Sequence, residues 1–187
     1  YRIEFNIHQL MDEIIELLDA LGKNAPIKKF SYAQVFFEYS NIDILNSDIN
    51  DLKEITNSLG LSSDYDWIED IQMLLFVHLI EPRLKEIPVC FVYDFPKQQA
   101  ALAEIDGPVA HRFEMYINGT EIANGYQEIQ SAQDYRDRFN TELNKRKALS
   151  KPFEFLDNGF LEDLEKGIPN CSGVAIGIER LYSSLSL

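Results

Sequence analysis

An Asn-Gly pair at residues 118–119, set between two runs rich in apolar and β-forming residues, constrains this chain more than any other feature. A two-residue type I′ turn needs positive φ at both central positions, and Asn-Gly supplies it at little steric cost. Residues 112–128, RFEMYINGTEIANGYQE, therefore read as a β-hairpin. With Asn118 and Gly119 as the turn, Ile117 faces Thr120, Tyr116 faces Glu121 and Glu114 faces Ala123. Side chains alternate along a strand, so Glu114, Tyr116, Glu121 and Ala123 are expected on one face. Two carboxylates that close repel unless they share a cation. Magnesium is one such cation, since it is usually held by one or two carboxylates plus substrate phosphates. A solvent-facing hairpin with two acidic residues is the competing reading, and spacing alone favours it.

The rest of the chain is helical before the hairpin and mixed after it. Residues 1–5 read as the end of a strand. Leu10, Met11, Ile14, Leu17, Leu18 and Leu21 fall at helical spacing over residues 8–21, with Gly22 as a stop. Lys28-Lys29 reads as a solvated pair. Ser31 and Gln34 have capping-box spacing and open a short helix to about residue 38. Further helices are expected over residues 48–59, ended by Gly60, and 66–80, stopped by Glu81-Pro82. Residues 89–95 form a short apolar strand compatible with burial on both faces, and residues 96–103 a loop or helical turn. A helix over 131–148 carries Asp134 near its start and Lys145, Arg146 and Lys147 at its end, an order that complements the helix dipole. A short helix over 158–166 closes at Gly167. Neighbouring strands with helices grouped before them predict an α+β fold with a mainly antiparallel sheet.

Composition narrows the function classes. At 187 residues and 45% hydrophobic, the chain suffices for one sizeable core and one domain. A formal net charge of −14 argues against an electrostatic nucleic-acid footprint on this piece. Cys90 and Cys171 are far apart and lie in or beside apolar runs, which suits reduced, buried thiols in the cytoplasm. His8, His78 and His111 are isolated and read as structural. No apolar run approaches the ~20 residues of a membrane span. The chain opens at Tyr1 and ends in Ser-Leu-Ser-Leu, which reads as helix, so both ends look cut from a longer protein.

Residues 171–184, CSGVAIGIERLYSS, read as an apolar Gly-containing strand running into a helix that opens with Glu179-Arg180. This pattern resembles motif 3 of the class II aminoacyl-tRNA synthetases. The hairpin resembles the lysine branch of that class: an RFE strand, a short turn, then E-x-x-N-G-[FY]-x-E. Tyr1 with HQLMDEI, then FVYDFPKQQAALA, the hairpin, and IPNCSGVAIGIER extend the likeness over the whole chain. Within the branch they resemble the lysyl-tRNA synthetase-like enzymes that attach (R)-β-lysine to elongation factor P.

The resemblance implies a partial class II catalytic domain over residues 1–187, an antiparallel sheet flanked by helices. Motif 3 would lie at 171–187, with motif 1 and most of motif 2 upstream. It implies activation of lysine or β-lysine as an adenylate and transfer to a lysine of elongation factor P, using ATP and Mg²⁺. Glu114 and Glu121 would hold the metal. Glu121, Ile122, Gly177 and Arg180 would bind ATP, with Arg180 acting catalytically at the γ-phosphate. Tyr1, Asn124, Glu128 and Ala175 would bind the amino acid. Glu128 would take its side-chain ammonium with help from the Tyr1 hydroxyl, and Asn124 its other polar end. Simple alternation puts Glu121 and Glu128 on opposite faces, so these roles require a bulge, expected at Asn124-Gly125.

Two departures bear on specificity. Residues 97–103 read KQQAALA where the family usually has Ala-Ser-Gln-Ala-Ser-Leu-Ala, so a serine is missing. Ala175 stands where lysine–tRNA ligases usually have Gly, and PKQQAALA lacks their Ser-Pro-Leu-Ala pattern. A tRNA ligase therefore ranks second. A catalytically silent binding module ranks behind both, because Glu114, Glu121, Asn124, Glu128 and Arg180 are all present. A homodimer is a further expectation for the full-length family.

Overall fold

A computed structural model describes residues 1–152 and 157–185 of the chain. The hairpin lies inside one sheet: β5 (Val109–Ile117) and β6 (Thr120–Gln127) are joined by Asn118 and Gly119, whose φ values are 48° and 77°. The sheet order is β1 (Arg2–Ile3), β7 (Cys171–Ile176), β6, β5, β3 (Val89–Pro96) and β2 (Ile27–Ser31). A short β4 (Ile105–Asp106) pairs with β5. All these pairings are antiparallel except β2 with β3.

Helices cover both faces. On one face, α1 (Ile7–Ala20) and α8 (Ile178–Ser184) pack on Val89, Phe91, Phe113, Met115, Ile117 and Ala123. On the other, α2 (Tyr32–Ser40), α3 (Ile49–Ser58) and α4 (Ile68–Leu75) pack on Cys90, Val92, Phe95 and Tyr116. Residues 89–92 are accordingly buried to both sides, as their composition predicts. Reciprocal capping boxes start α1 (Asn6 with Gln9), α2 (Ser31 with Gln34) and α3 (Asp48 with Asp51). α6 (Ala132–Ala148) and α7 (Asn158–Glu165) build a small separate cluster around Tyr135 and Leu161. The terminal helix ends at Ser184, and residues 186–187 lie outside the described residues.

Three expectations are corrected. Residues 27–31 are a strand; Lys28 and Lys29 hide it because charges sit on both sides of an exposed edge. Lys29 is not simply solvated, since its ammonium lies 2.5 Å from the Asp12 carboxylate. Pro82 does not stop the helix: α4 continues through a π turn (Phe76–Ile80) into α5 (Glu81–Leu84). The π turn lets the Glu81 N–H reach Phe76 O, and Pro82 then falls in the first turn of α5, where a missing donor is tolerated. Leu17 and Leu21 stay exposed at the rim of α1 instead of joining its buried stripe.

The register of the hairpin corrects a fourth. Ile117 faces Thr120 and Tyr116 faces Glu121, but Glu114 faces Asn124 because Met115 pairs with Ala123. The bulge sits at Ile122, two residues before Asn124-Gly125. Gly125 serves a different purpose: a Cβ there would lie 2.4 Å from the Phe113 ring and 2.9 Å from Gly173 O. Gly125→Ala should therefore overpack the sheet and lower stability by about 1–3 kcal/mol. Urea denaturation of the variant checks this, and an unchanged midpoint would contradict the close packing.

Candidate active site

The bulge decides which side chains meet. Directly opposed residues of antiparallel strands share a face. Arg112 opposes Tyr126, Glu114 opposes Asn124, and Tyr116 opposes Glu121; on the next strand Asn124 opposes Ala175 and Tyr126 opposes Gly173. Glu128 continues this set two residues beyond Tyr126, bridging to Ala103. One face of β5–β6–β7 thus carries Arg112, Glu114, Glu121, Asn124, Tyr126, Glu128, Gly173 and Ala175. Ile122 and Ala123 turn into the opposite core, both 2% exposed. Ala123, expected beside Glu114, is therefore on the wrong side of the sheet for the site.

At one end of the face stand Glu121 and Arg180. Arg180 follows Gly177, which caps α8, and its Nη1 donates to Glu121 O at 3.1 Å and lies 3.9 Å from Glu121 Oε2. Gly177 N–H donates to Ile122 O at 2.8 Å. A Cβ at Gly177 would make only ordinary contacts of 3.6 Å, and its φ of −74° suits any residue. Packing within the chain does not demand a glycine there, which leaves room for a ligand against the backbone.

Glu114 lies at the centre. Arg112 Nη2 and the Tyr116 hydroxyl both donate to its carboxylate. Burial pushes the Glu114 carboxyl up, opposed by Arg112 and Tyr116 and reinforced by the charge of Glu121. That electrostatic coupling places the two expected metal carboxylates within influence of each other. Burial, with Glu114 alongside, pushes the Tyr116 phenol far up, so it stays a donor.

Glu128 lies at the other end and is 9% exposed. Among the described residues its carboxylate has no hydrogen bond or ion pair, and burial pushes it up. A Cβ on Gly173 would lie 2.8 Å from Glu128 Oε1 and 2.6 Å from the Tyr1 ring, so Tyr1 and Glu128 converge over that glycine. The Tyr1 ring is otherwise exposed.

Of the site residues named from sequence, all but Ile122, whose side chain enters the opposite core, fall on or beside one sheet face. Three contributors were missed. Arg112, quoted only as part of RFE, contacts Glu114 and Asn124 at once. Tyr116 was placed on the face without a task, although its spacing of two from Glu114 was the available signal. Gly173 had none, because its neighbours Tyr1 and Glu128 come from distant parts of the chain.

The unpaired carboxylate has a stability consequence. A folded-state pKa raised above the unfolded value makes the ionised form costly in the fold, so the cost is present above the folded pKa and gone below the unfolded one. Glu128→Gln should therefore melt higher than the parent at pH 7–8. The gap should close as pH falls through the folded pKa and vanish below the ordinary glutamate value of about 4.3. Melting curves across pH check this, and a gap that widens in acid would reverse the sign.

A relative from Proteus mirabilis (strain HI4320), named elongation factor P–(R)-β-lysine ligase, is 40% identical over 187 residues, taking in 97% of this chain. The chain spans 58% of that relative's length. The family model of tRNA synthetases class II (D, K and N) matches residues 2–186. With a mainly antiparallel sheet flanked by helices and a match over nearly its whole length, this chain belongs to the class II tRNA synthetases of the D, K and N group.

Proposed function

We propose that this chain is catalytic-domain sequence of an ATP-dependent ligase that activates lysine or β-lysine and transfers it to a lysine of elongation factor P. The observation that carries the reading is the pair of ends on one face: an unpaired buried carboxylate, Glu128, and an exposed Glu121–Arg180 pair. A buried carboxylate lacking a partner suits a ligand that brings an ammonium. An arginine beside a carboxylate, at a helix start and next to open backbone, suits a magnesium-bound triphosphate.

In the reaction, an oxygen of the amino-acid carboxylate attacks the α-phosphorus of ATP, the bond to the β-phosphate oxygen breaks, and pyrophosphate leaves. The acceptor amine then attacks the acyl carbon; an amide forms, AMP leaves and the amine gives up a proton. Glu128 and the Tyr1 hydroxyl hold the substrate ammonium, while Asn124 and Ala175 border its carboxylate end. Arg180 contacts the γ-phosphate, and Gly177 and the Ile122 backbone receive the adenine. Among the described residues no cluster of three or more His, Cys, Asp or Glu forms a protein-only metal cage. Glu114 and Glu121 instead offer oxygen donors of the kind magnesium shares with phosphates. The metal, when bound, neutralises charge on the phosphate oxygens.

The acidic balance of −14 and Ala175 support a protein acceptor over tRNA. The full-length protein should label elongation factor P with lysine or β-lysine far better than it charges tRNA; efficient charging with no labelled protein would reverse the assignment. In the same protein, Glu121→Gln should cut magnesium-dependent pyrophosphate exchange by about 10–100-fold while it stays folded. Glu128→Gln should weaken amino-acid activation by ~3–5 kcal/mol, or about two to four orders of magnitude, with ATP affinity largely kept. Equal loss of ATP affinity and amino-acid dependence would place Glu128 in the nucleotide site or the fold.

A further inference from the structure

We propose that Arg112 is a positioning residue that fixes the Asn124 amide with its nitrogen toward the substrate, so that the site selects a lysine-like molecule by its carboxylate as well as its ammonium. This rests on the functional reading above and concerns the amino-acid end of that site.

An asparagine can present either an acceptor or two donors, and nothing in its own chemistry chooses between them. Arg112 makes the choice. Its Nε donates to Asn124 Oδ1 at 3.3 Å. A guanidinium only donates, so the reversed amide would set N–H against N–H. The Asn124 oxygen is therefore committed to Arg112. Its Nδ2 has no hydrogen-bond acceptor among the described residues and stays free on the open face, opposite Ala175. A free donor there cannot serve an ammonium; it serves a carboxylate oxygen. Glu128, on the same face four residues along the strand, offers the opposite polarity.

The arginine is itself held from several sides. Nη1 donates to Gln99 O at 3.0 Å and Nη2 to the Glu114 carboxylate. The guanidinium carbon lies 4.5 Å from the Phe95 ring centre, a cation–π contact. Gln99 is anchored in turn, its Nε2 donating to Gln72 Oε1 at 3.1 Å and to the Tyr32 hydroxyl at 3.3 Å. The Tyr32 hydroxyl donates to Gln72 O at 3.3 Å. A lysine at 112 would keep the positive charge but lose the planar fork that serves three partners in three directions.

The test is calorimetric titration of the full-length protein, without ATP or magnesium, using L-lysine and 1,5-diaminopentane, which is lysine without its carboxylate. The parent should bind lysine more tightly than the diamine. Arg112→Lys should lose lysine affinity by about 10–100-fold, the usual effect of removing a residue that orients a binding group. Its affinity for the diamine should stay within about twofold. Asn124→Asp keeps a partner for Arg112 but removes the donor, so it should lose lysine and retain the diamine, independently of how Arg112→Lys folds. Equal loss of both ligands in Arg112→Lys, or an unchanged preference for lysine in either variant, overturns the proposal. A parent that binds neither of these ligands nor (R)-β-lysine overturns the functional reading itself, before any variant is compared.

Discussion

A strand shows its side chains to alternate sides, so one extra residue exchanges the two faces for everything beyond it. Here that residue is Ile122. Before it, Glu121 belongs to the open face; after it, Asn124, Tyr126 and Glu128 do. The bulge exposes no apolar surface, because Ile122 and Ala123 both enter the core beneath α1 and α8. Glu121 and Glu128, at the two ends of the candidate site, lie on one surface only because of this single insertion into the ladder.

Features that depend on local chemistry were legible in the sequence. The turn at Asn118-Gly119 and the cap at Ser31 need only the residues beside them. The bulge was required by parity but looked for at Asn124-Gly125, the pair with bulge-like residues. Ile122 carries no such mark, and Gly125 is glycine for the sake of the Phe113 ring. Strand β2 escaped because two adjacent lysines break the alternation by which half-buried strands are recognised. Arg112 escaped as a participant because its importance lies in Asn124, Gln99 and Phe95, which become neighbours only once the sheet is assembled.

The two buried carboxylates are treated in opposite ways. Glu114 receives donors from Arg112 and Tyr116 and sits on the helical layer through Gln99, Gln72 and Tyr32. Glu128 receives none among the described residues and tolerates its burial as a standing cost. A group left in that condition weakens the fold and is the kind that binding sites retain. The asymmetry separates a carboxylate that takes donors from within the fold from one that the described residues leave unpaired.

Strand β7 meets the same face differently. Gly173, Ala175 and Gly177 present it with almost nothing but peptide backbone. Gly173 is locked in place by Tyr1 and Glu128, whereas Gly177 has only ordinary contacts and Ala175 is exposed. A wall of this kind sets how closely a molecule can approach the face and leaves its charges alone. Drift at residues 175 and 177 would then raise or lower that wall one methyl at a time, while the polar groups on β5 and β6 stay where they are.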